Sequence, residues 1–283
     1  MPPLSKAHRR IAMFGHQLNL SLSPANATWI ASLDDLLCPF ITADTSDGRQ
    51  ADIIVRPLTA EANAPWLLFQ DRQRTWITDT MSLVSQLEWR VFDASIRNAK
   101  SALAIHAGAV ARGGIGVLLV GASSSGKTTL ALALQQAGWL PLADDVCGLV
   151  AGANGVLVEP CQRCCHVSQE SRALLAERGI TLEGPVGGLI GYYRPLAWGQ
   201  AAPVRRIIAL RYQEGSPLER KSLSQAEGAA LILSAAFAPA EHPRRAAWDV
   251  AVALTKQAPT EAWHYAALED VFVALNALTR EAC

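Results

Sequence analysis

Residues Gly121 to Leu130 read GASSSGKTTL and fit the pattern G-x-x-x-x-G-K-[ST]. Such a loop holds phosphates because its backbone N–H groups and the following helix N-terminus point at the anion, where the helix dipole favours negative charge. Gly121 and Gly126 permit the tight path, Ala122, Ser123, Ser124 and Ser125 supply the cradle, and Lys127 brings a mobile charge to the β- and γ-phosphates. Thr128 offers a hydroxyl to Mg²⁺, and Thr129 continues into the helix. The stretch follows an apolar run, Gly116 to Val120, and opens a helical pattern from Lys127 to about Gln136, closed by Gly138. Strand, loop and helix in that order commit the chain to an α/β nucleotide-binding core.

Just beyond it, Trp139 to Ala143 reads as a strand that delivers Asp144 and Asp145 at its end. Ligands of open α/β sheets collect at the carboxyl ends of strands, so the loop and the Asp pair are expected on one rim. One carboxylate can serve Mg²⁺ and the other can take a proton from an attacking hydroxyl. Adjacent carboxylates raise each other's pKa while a metal lowers both. Upstream, residues 104–110 (AIHAGAV) and 116–120 read as strands of a hairpin turning at Arg112-Gly113-Gly114. That register puts His106 opposite residue 120 or 121, beside the loop's mouth.

The rest of the chain reads in two parts, 1–100 and 101–283. Before the junction, Phe40-Ile41-Thr42, Asp52 to Val55, Trp66 to Phe69 and Thr75 to Thr78 read as strands, the last pair a hairpin. Asp79 or Thr80 caps a helix bearing Leu83, Leu87, Val91 and Ile96, ending near Lys100. These elements make a small N-terminal α+β domain and connecting helix. After the Asp pair, Val204 to Tyr212 reads as a strand, and Ser224-Gln-Ala-Glu227 is a capping box opening a helix to about Phe237. Two further helices are expected, near Arg245 to Lys256 and near Leu268 to Arg280.

Composition removes several function classes. Lys plus Arg equals Asp plus Glu at 25 each, so there is no bulk pull toward nucleic acid or an anionic membrane. No stretch approaches ~18 consecutive apolar residues, and the basic start has no apolar run behind it, so neither a span nor a signal peptide is expected. The chain reads as cytoplasmic. Cysteines stand at 38, 147, 161, 164, 165 and 283, clustered only in Cys161-Gln-Arg-Cys164-Cys165-His166. Adjacent thiols and a missing fourth ligand argue against a zinc site there.

Taken together, IHAGAV with His106, the hairpin, GASSSGKTTL and LADD resemble the catalytic core of the HPr kinase/phosphorylase family, bacterial serine kinases whose P-loop fold is related to phosphoenolpyruvate carboxykinase. The match covers about Ala102 to Val146. It implies an α/β P-loop core of that type, with Lys127 and Thr128 holding ATP and Mg²⁺. It further implies Asp144 as the base activating a serine hydroxyl, supported by Asp145, a metal-side residue, and by His106. Pro203-Val204-Arg205-Arg206 is similar to the family's late basic loop, which makes Arg205 the residue aligning the phosphoryl group. The family's Glu-Ile-Arg-Gly string is absent here. Reverse phosphorolysis is therefore not expected, and Glu159 and Glu170 become the acidic candidates for the metal.

The chain looks most like the shorter HPr-kinase-related group, some of which phosphorylate ribosomal precursor peptides, as in lasso-peptide clusters. The expected acceptor is thus a serine hydroxyl on a peptide or small protein, with no nucleic-acid or membrane partner. Homo-oligomerisation is left open. A small-molecule kinase and a non-catalytic ATP-sensing module are the competing readings. About 120 residues precede the loop, which disfavours the first. The Asp pair and His106 are superfluous to the second.

Overall fold

A computed structural model describes residues 7–23, 28–43, 50–58, 65–99, 103–152, 155–237 and 244–281. The expected helix end at Lys100, the junction at 100/101, the start of the family-like stretch at Ala102 and Cys283 lie outside them. The fold is mixed α/β, and the chain divides into two compact units, Met1–Ser101 with Gly184–Ile190, and Ala102–Glu183 with Gly191–Cys283. The return of Gly184–Ile190 to the first unit is a division that the reading of one continuous second domain did not contain.

The first unit comprises β1 (Ala7–Met13), β2 (His16–Leu22), α1 (Thr28–Leu37), β3 (Ile41–Ala43), β4 (Ile53–Pro57), β5 (Trp66–Gln70), β6 (Gln73–Ile77) and α2 (Thr80–Arg97). Its sheet runs β3-β1-β2-β4-β5-β6, antiparallel except for the parallel β2–β4 pair, which α1 connects. The β1–β2 hairpin and α1 were not expected. The hairpin turns on Phe14 and Gly15, both at positive φ (51° and 71°), as a two-residue turn matching strand twist requires. Arg9 grips Asp34 of α1 with two bonds of 2.8 and 2.7 Å. The helix expected after β6 is present, its N-cap Asp79 accepting from Ser82 N–H at 2.8 Å, with Leu83, Leu87 and Val91 fully buried. Gly184–Ile190 joins this unit through Gly187, whose N–H donates to Asp35 Oδ2 at 2.7 Å.

In the second unit the chain forms β7 (Leu103–Ile105), β8 (Ala107–Arg112), β9 (Ile115–Val120), α3 (Lys127–Ala133), β10 (Leu140–Ala143), β11 (Cys147–Gly152) and β12 (Gly155–Glu159). Then come β13 (Cys165–His166), α4 (Gln169–Glu177), β14 (Leu182–Glu183), β15 (Tyr192–Pro195), β16 (Ala202–Tyr212) and β17 (Glu219–Leu223). The chain closes with α5 (Gln225–Ala235), α6 (Arg244–Gln257), β18 (Thr260–Tyr265) and α7 (Leu268–Glu281). The main sheet follows β10-β8-β9-β16-β12-β11-β7, with β18 on β16 and β17 on β18.

β8 is antiparallel to both β9 and β10, while β16 is parallel to β9 and β18 to β16. Strands β9, β10, β16 and β18 therefore run the same way and end on one rim, at Val120, Ala143, Tyr212 and Tyr265. Val117, Leu119, Leu130, Trp139, Ile208, Trp263 and Val271 share one buried cluster that holds α3 and α7 to the sheet. The strand expected over 104–110 is broken at His106, whose N–H leaves the ladder to donate to Ala235 O at 2.7 Å. The capping box is formed, Ser224 and Glu227 bonding reciprocally. Among the described residues no helix is long and apolar enough to cross a membrane.

Candidate active site

The loop between β9 and α3 has the shape that a phosphate cradle needs. Ser124 and Gly126 take positive φ (63° and 88°), turning successive N–H groups inward. A Cβ on Gly126 would collide with Tyr265 Oη, and one on Gly121 would meet Leu210 O at 2.7 Å. Both glycines are thus fixed by neighbours as well as by the turn. Tyr265 Oη donates to Ser125 O at 3.2 Å, propping the loop from beneath, and burial pushes its hydroxyl pKa up. Lys127 is buried and folds back, donating to Gly121 O and Ala122 O at 2.9 Å each. Burial lowers its pKa, against the pull of Asp145 and Asp144.

Asp144 and Asp145 reach the same rim but face differently. Asp144 is buried, 3% exposed, and accepts from Thr128 Oγ1 at 2.7 Å. Burial first, and the Asp145 charge second, push its carboxyl up to about 7, opposed by the Thr128 bond. Asp145 sits at the centre of a tight turn closed by Val146 N–H to Asp144 O at 2.7 Å, with φ at 61°. That conformation is costly for a residue with a Cβ and persists only where neighbours over-determine it. His106 is one such neighbour, since its Nδ1 lies 3.0 Å from Asp145 O. A carbonyl can only accept, so Nδ1 carries the proton. The turn aims the Asp145 side chain into open space.

That space is a cleft of about 650 Å³ lined by Ser123, Ser124, Gly126, Lys127, Thr128, Thr129 and Asp145 of the loop and strand end. Opposite them stand His166, Ser168, Glu170, Ser171, Leu174 and Arg178 from β13 and α4, and Tyr212, Tyr265 and Ala266 to Glu269 from β16, β18 and α7. Thr129 Oγ1 lies 2.8 Å from Ser171 Oγ, tying α3 to α4. At the far end Arg178 Nη2 donates to Glu269 Oε1 at 2.5 Å.

Of the residues singled out from sequence, Gly121 to Thr129, Asp144, Asp145 and His106 converge. Arg205 does not. Its neighbours Val204 and Arg206 pair with Gly116 and Val117, whereas Ala209 pairs with Val120 at the loop. At about 3.3 Å per residue, Arg205 lies at the opposite end of β9, and the late-basic-loop reading is corrected accordingly. Asp144, expected as the base, is buried, bonded to Thr128 and not among the residues lining the cleft. Glu159 ends β12, where burial raises its pKa, and is not among the residues lining the cleft. Glu170, in the first turn of α4, lines it.

Cys161, Cys164 and Cys165 are buried, and burial raises the Cys147 and Cys165 thiols well above their ordinary value. Among the described residues no group of three or more His, Cys, Asp or Glu is arranged to hold a metal.

Sequence reasoning missed the walls. Ser168 caps α4 by accepting from Ser171 N–H at 3.1 Å, a start that SQESRALLAE carries in plain view. Tyr212 and Tyr265 carried no local signal, because only the pairing of β16 with β9 and of β18 with β16 brings them to the loop.

No family model matches this chain, and no curated protein matches it. Among solved structures, the Hpr(Ser) kinase/phosphatase from Coxiella burnetii is similar over 63% of this chain and 98% of that one, at 16% identity and a TM-score of 0.33. A likeness that slight carries no assignment of activity.

Proposed function

We propose that this chain is a phosphotransferase that moves the γ-phosphoryl group of ATP to a serine hydroxyl of a peptide or small protein. One observation carries the reading: two adjacent carboxylates divided between tasks at the mouth of a phosphate loop. Asp144 is bonded to Thr128, and Asp145 is turned into the cleft. A hydroxyl and a buried carboxylate 2.7 Å apart form a hard oxygen donor pair that suits Mg²⁺. Thr128 and Asp144 would hold the ion, which when bound neutralises charge on the β- and γ-phosphates.

Lys127 exchanges its two loop carbonyls for the γ-phosphate, where transition-state charge is best stabilised. Asp145 takes the proton as the acceptor oxygen bonds to γ-phosphorus. The bond from that phosphorus to the β,γ-bridging oxygen breaks, and ADP leaves with the charge. His106 acts as a positioning residue by holding the Asp145 carbonyl. The roles of the two carboxylates are thus the reverse of those implied by the family resemblance. The serine acceptor, and a ribosomal precursor peptide as its source, rest on that resemblance.

Incubation with γ-labelled ATP and lysate of the source organism tests the reading. A labelled polypeptide is expected, lost with Lys127→Ala in a protein that still folds. A labelled metabolite would make this a small-molecule kinase. No label, or undiminished label with Lys127→Ala, would overturn phosphoryl transfer from this loop.

A further inference from the structure

The cleft has two chemically different ends. At the β10 end stands Asp145. On the other side of the loop β16 and β18 end in Tyr212 and Tyr265, directly paired, with Ala266, Ala267 and Leu268 following. Tyr265 is buried under the loop, but Tyr212 is 50% exposed and meets Tyr265 edge-on, ring centroids 5.8 Å apart. An edge-on neighbour leaves a ring face of Tyr212 uncovered by its partner.

The sheet order sets the direction of any triphosphate in the cradle. β10 lies on one side of β9, two strands away, and β16 lies on the other. The γ-phosphate belongs beside Asp145, so the nucleoside leaves the loop toward β16 and β18. We propose that its base stacks on Tyr212, with Leu268 as the apolar floor and the Arg178–Glu269 pair closing the far end. This inference rests on the proposed triphosphate binding and adds the subsite that would make the ligand a nucleotide.

The recognition it describes is stacking on an aromatic face, which tolerates either purine.

Calorimetric titration with Mg-ATP and with Mg-tripolyphosphate separates base from phosphates. Tyr212→Ala is expected to weaken Mg-ATP binding about 5- to 150-fold, the range for losing one base–aromatic stack, and to leave tripolyphosphate unchanged. Tyr212→Phe keeps the ring and should bind as wild type does. If Tyr212→Ala weakens both ligands alike, the residue acts through the loop and the base subsite is wrong. If neither changes, the base lies elsewhere and the proposal fails while triphosphate binding stands. If wild-type protein binds neither ligand, the underlying reading falls and takes this one with it.

Discussion

The two sides of the loop between β9 and α3 are built on the same rim by opposite means. On the β10 side, Asp144 and Asp145 come from a strand that begins soon after the loop's own helix, and a local turn aims them. On the β16 and β18 side, Tyr212 and Tyr265 arrive from remote sequence and are placed by two parallel strand pairings. The first side carries charge and strain, the second carries aromatic surface and a prop under the loop. The groups to which the proposed chemistry is assigned are placed by local sequence, whereas the aromatic wall opposite is placed by topology.

Gly126 is where the two sides touch, and disturbing it gives the largest expected effect. Gly126→Ala must hold a positive φ, costing about 1–3 kcal/mol, while its Cβ displaces the Tyr265 hydroxyl. Nucleotide affinity should fall up to about 100-fold, read by titration of Mg-ATP. Combining it with Tyr265→Phe removes the clashing oxygen and should recover part of the loss. If the double variant is no better than the single one, Tyr265 does not set the loop's position.

A smaller effect sharpens the charged side alone. The Asp144 carboxyl is raised from 3.8 to about 7 by burial and Asp145. Between those values the folded chain holds a proton that the unfolded chain has released, so metal-free stability falls as pH rises through that window. Asp144→Asn removes the penalty. With a chelator present, the variant should melt higher than wild type at about pH 8, by roughly 2–4 °C for each kcal/mol recovered, and the gap should close toward about pH 4. A variant that melts lower at the alkaline end would mean that Asp144 is stabilised in its charged form by partners outweighing its burial.

How much could be read beforehand follows from the same contrast. GASSSGKTTL, the helix ending at Gly138, the Asp79 cap and the Ser224–Glu227 box are signals a few residues long, and each lies where its local pattern indicates. His106 was placed near the loop by hairpin register, since Ala107 pairs with Val120. Its break from the strand was not legible, because the cause is Ala235, far along the chain. β1 and β2 were readable in principle from Ile11, Met13, Leu18, Leu20 and Leu22 alternating around Phe14-Gly15, but Arg9 and Arg10 masked the pattern. Arg205 was misplaced for a physical reason. A basic pair beside an apolar strand says nothing about which end of the strand meets the ligand, and β16 begins at the far end of β9.

The division of labour between the carboxylates is tested most directly by single-turnover transfer and Mg-dependent nucleotide binding measured side by side in Asp145→Asn and Asp144→Asn. Asp145→Asn is expected to bind Mg-ATP as wild type does but to transfer phosphate slower by about 10²-fold, the lower end for lost proton abstraction in a loose transition state. Asp144→Asn should bind ATP no better with Mg²⁺ than without it. Wild-type transfer by Asp145→Asn, or intact Mg²⁺ dependence in an Asp144→Asn protein that has lost transfer, would contradict it and make Asp144 the base.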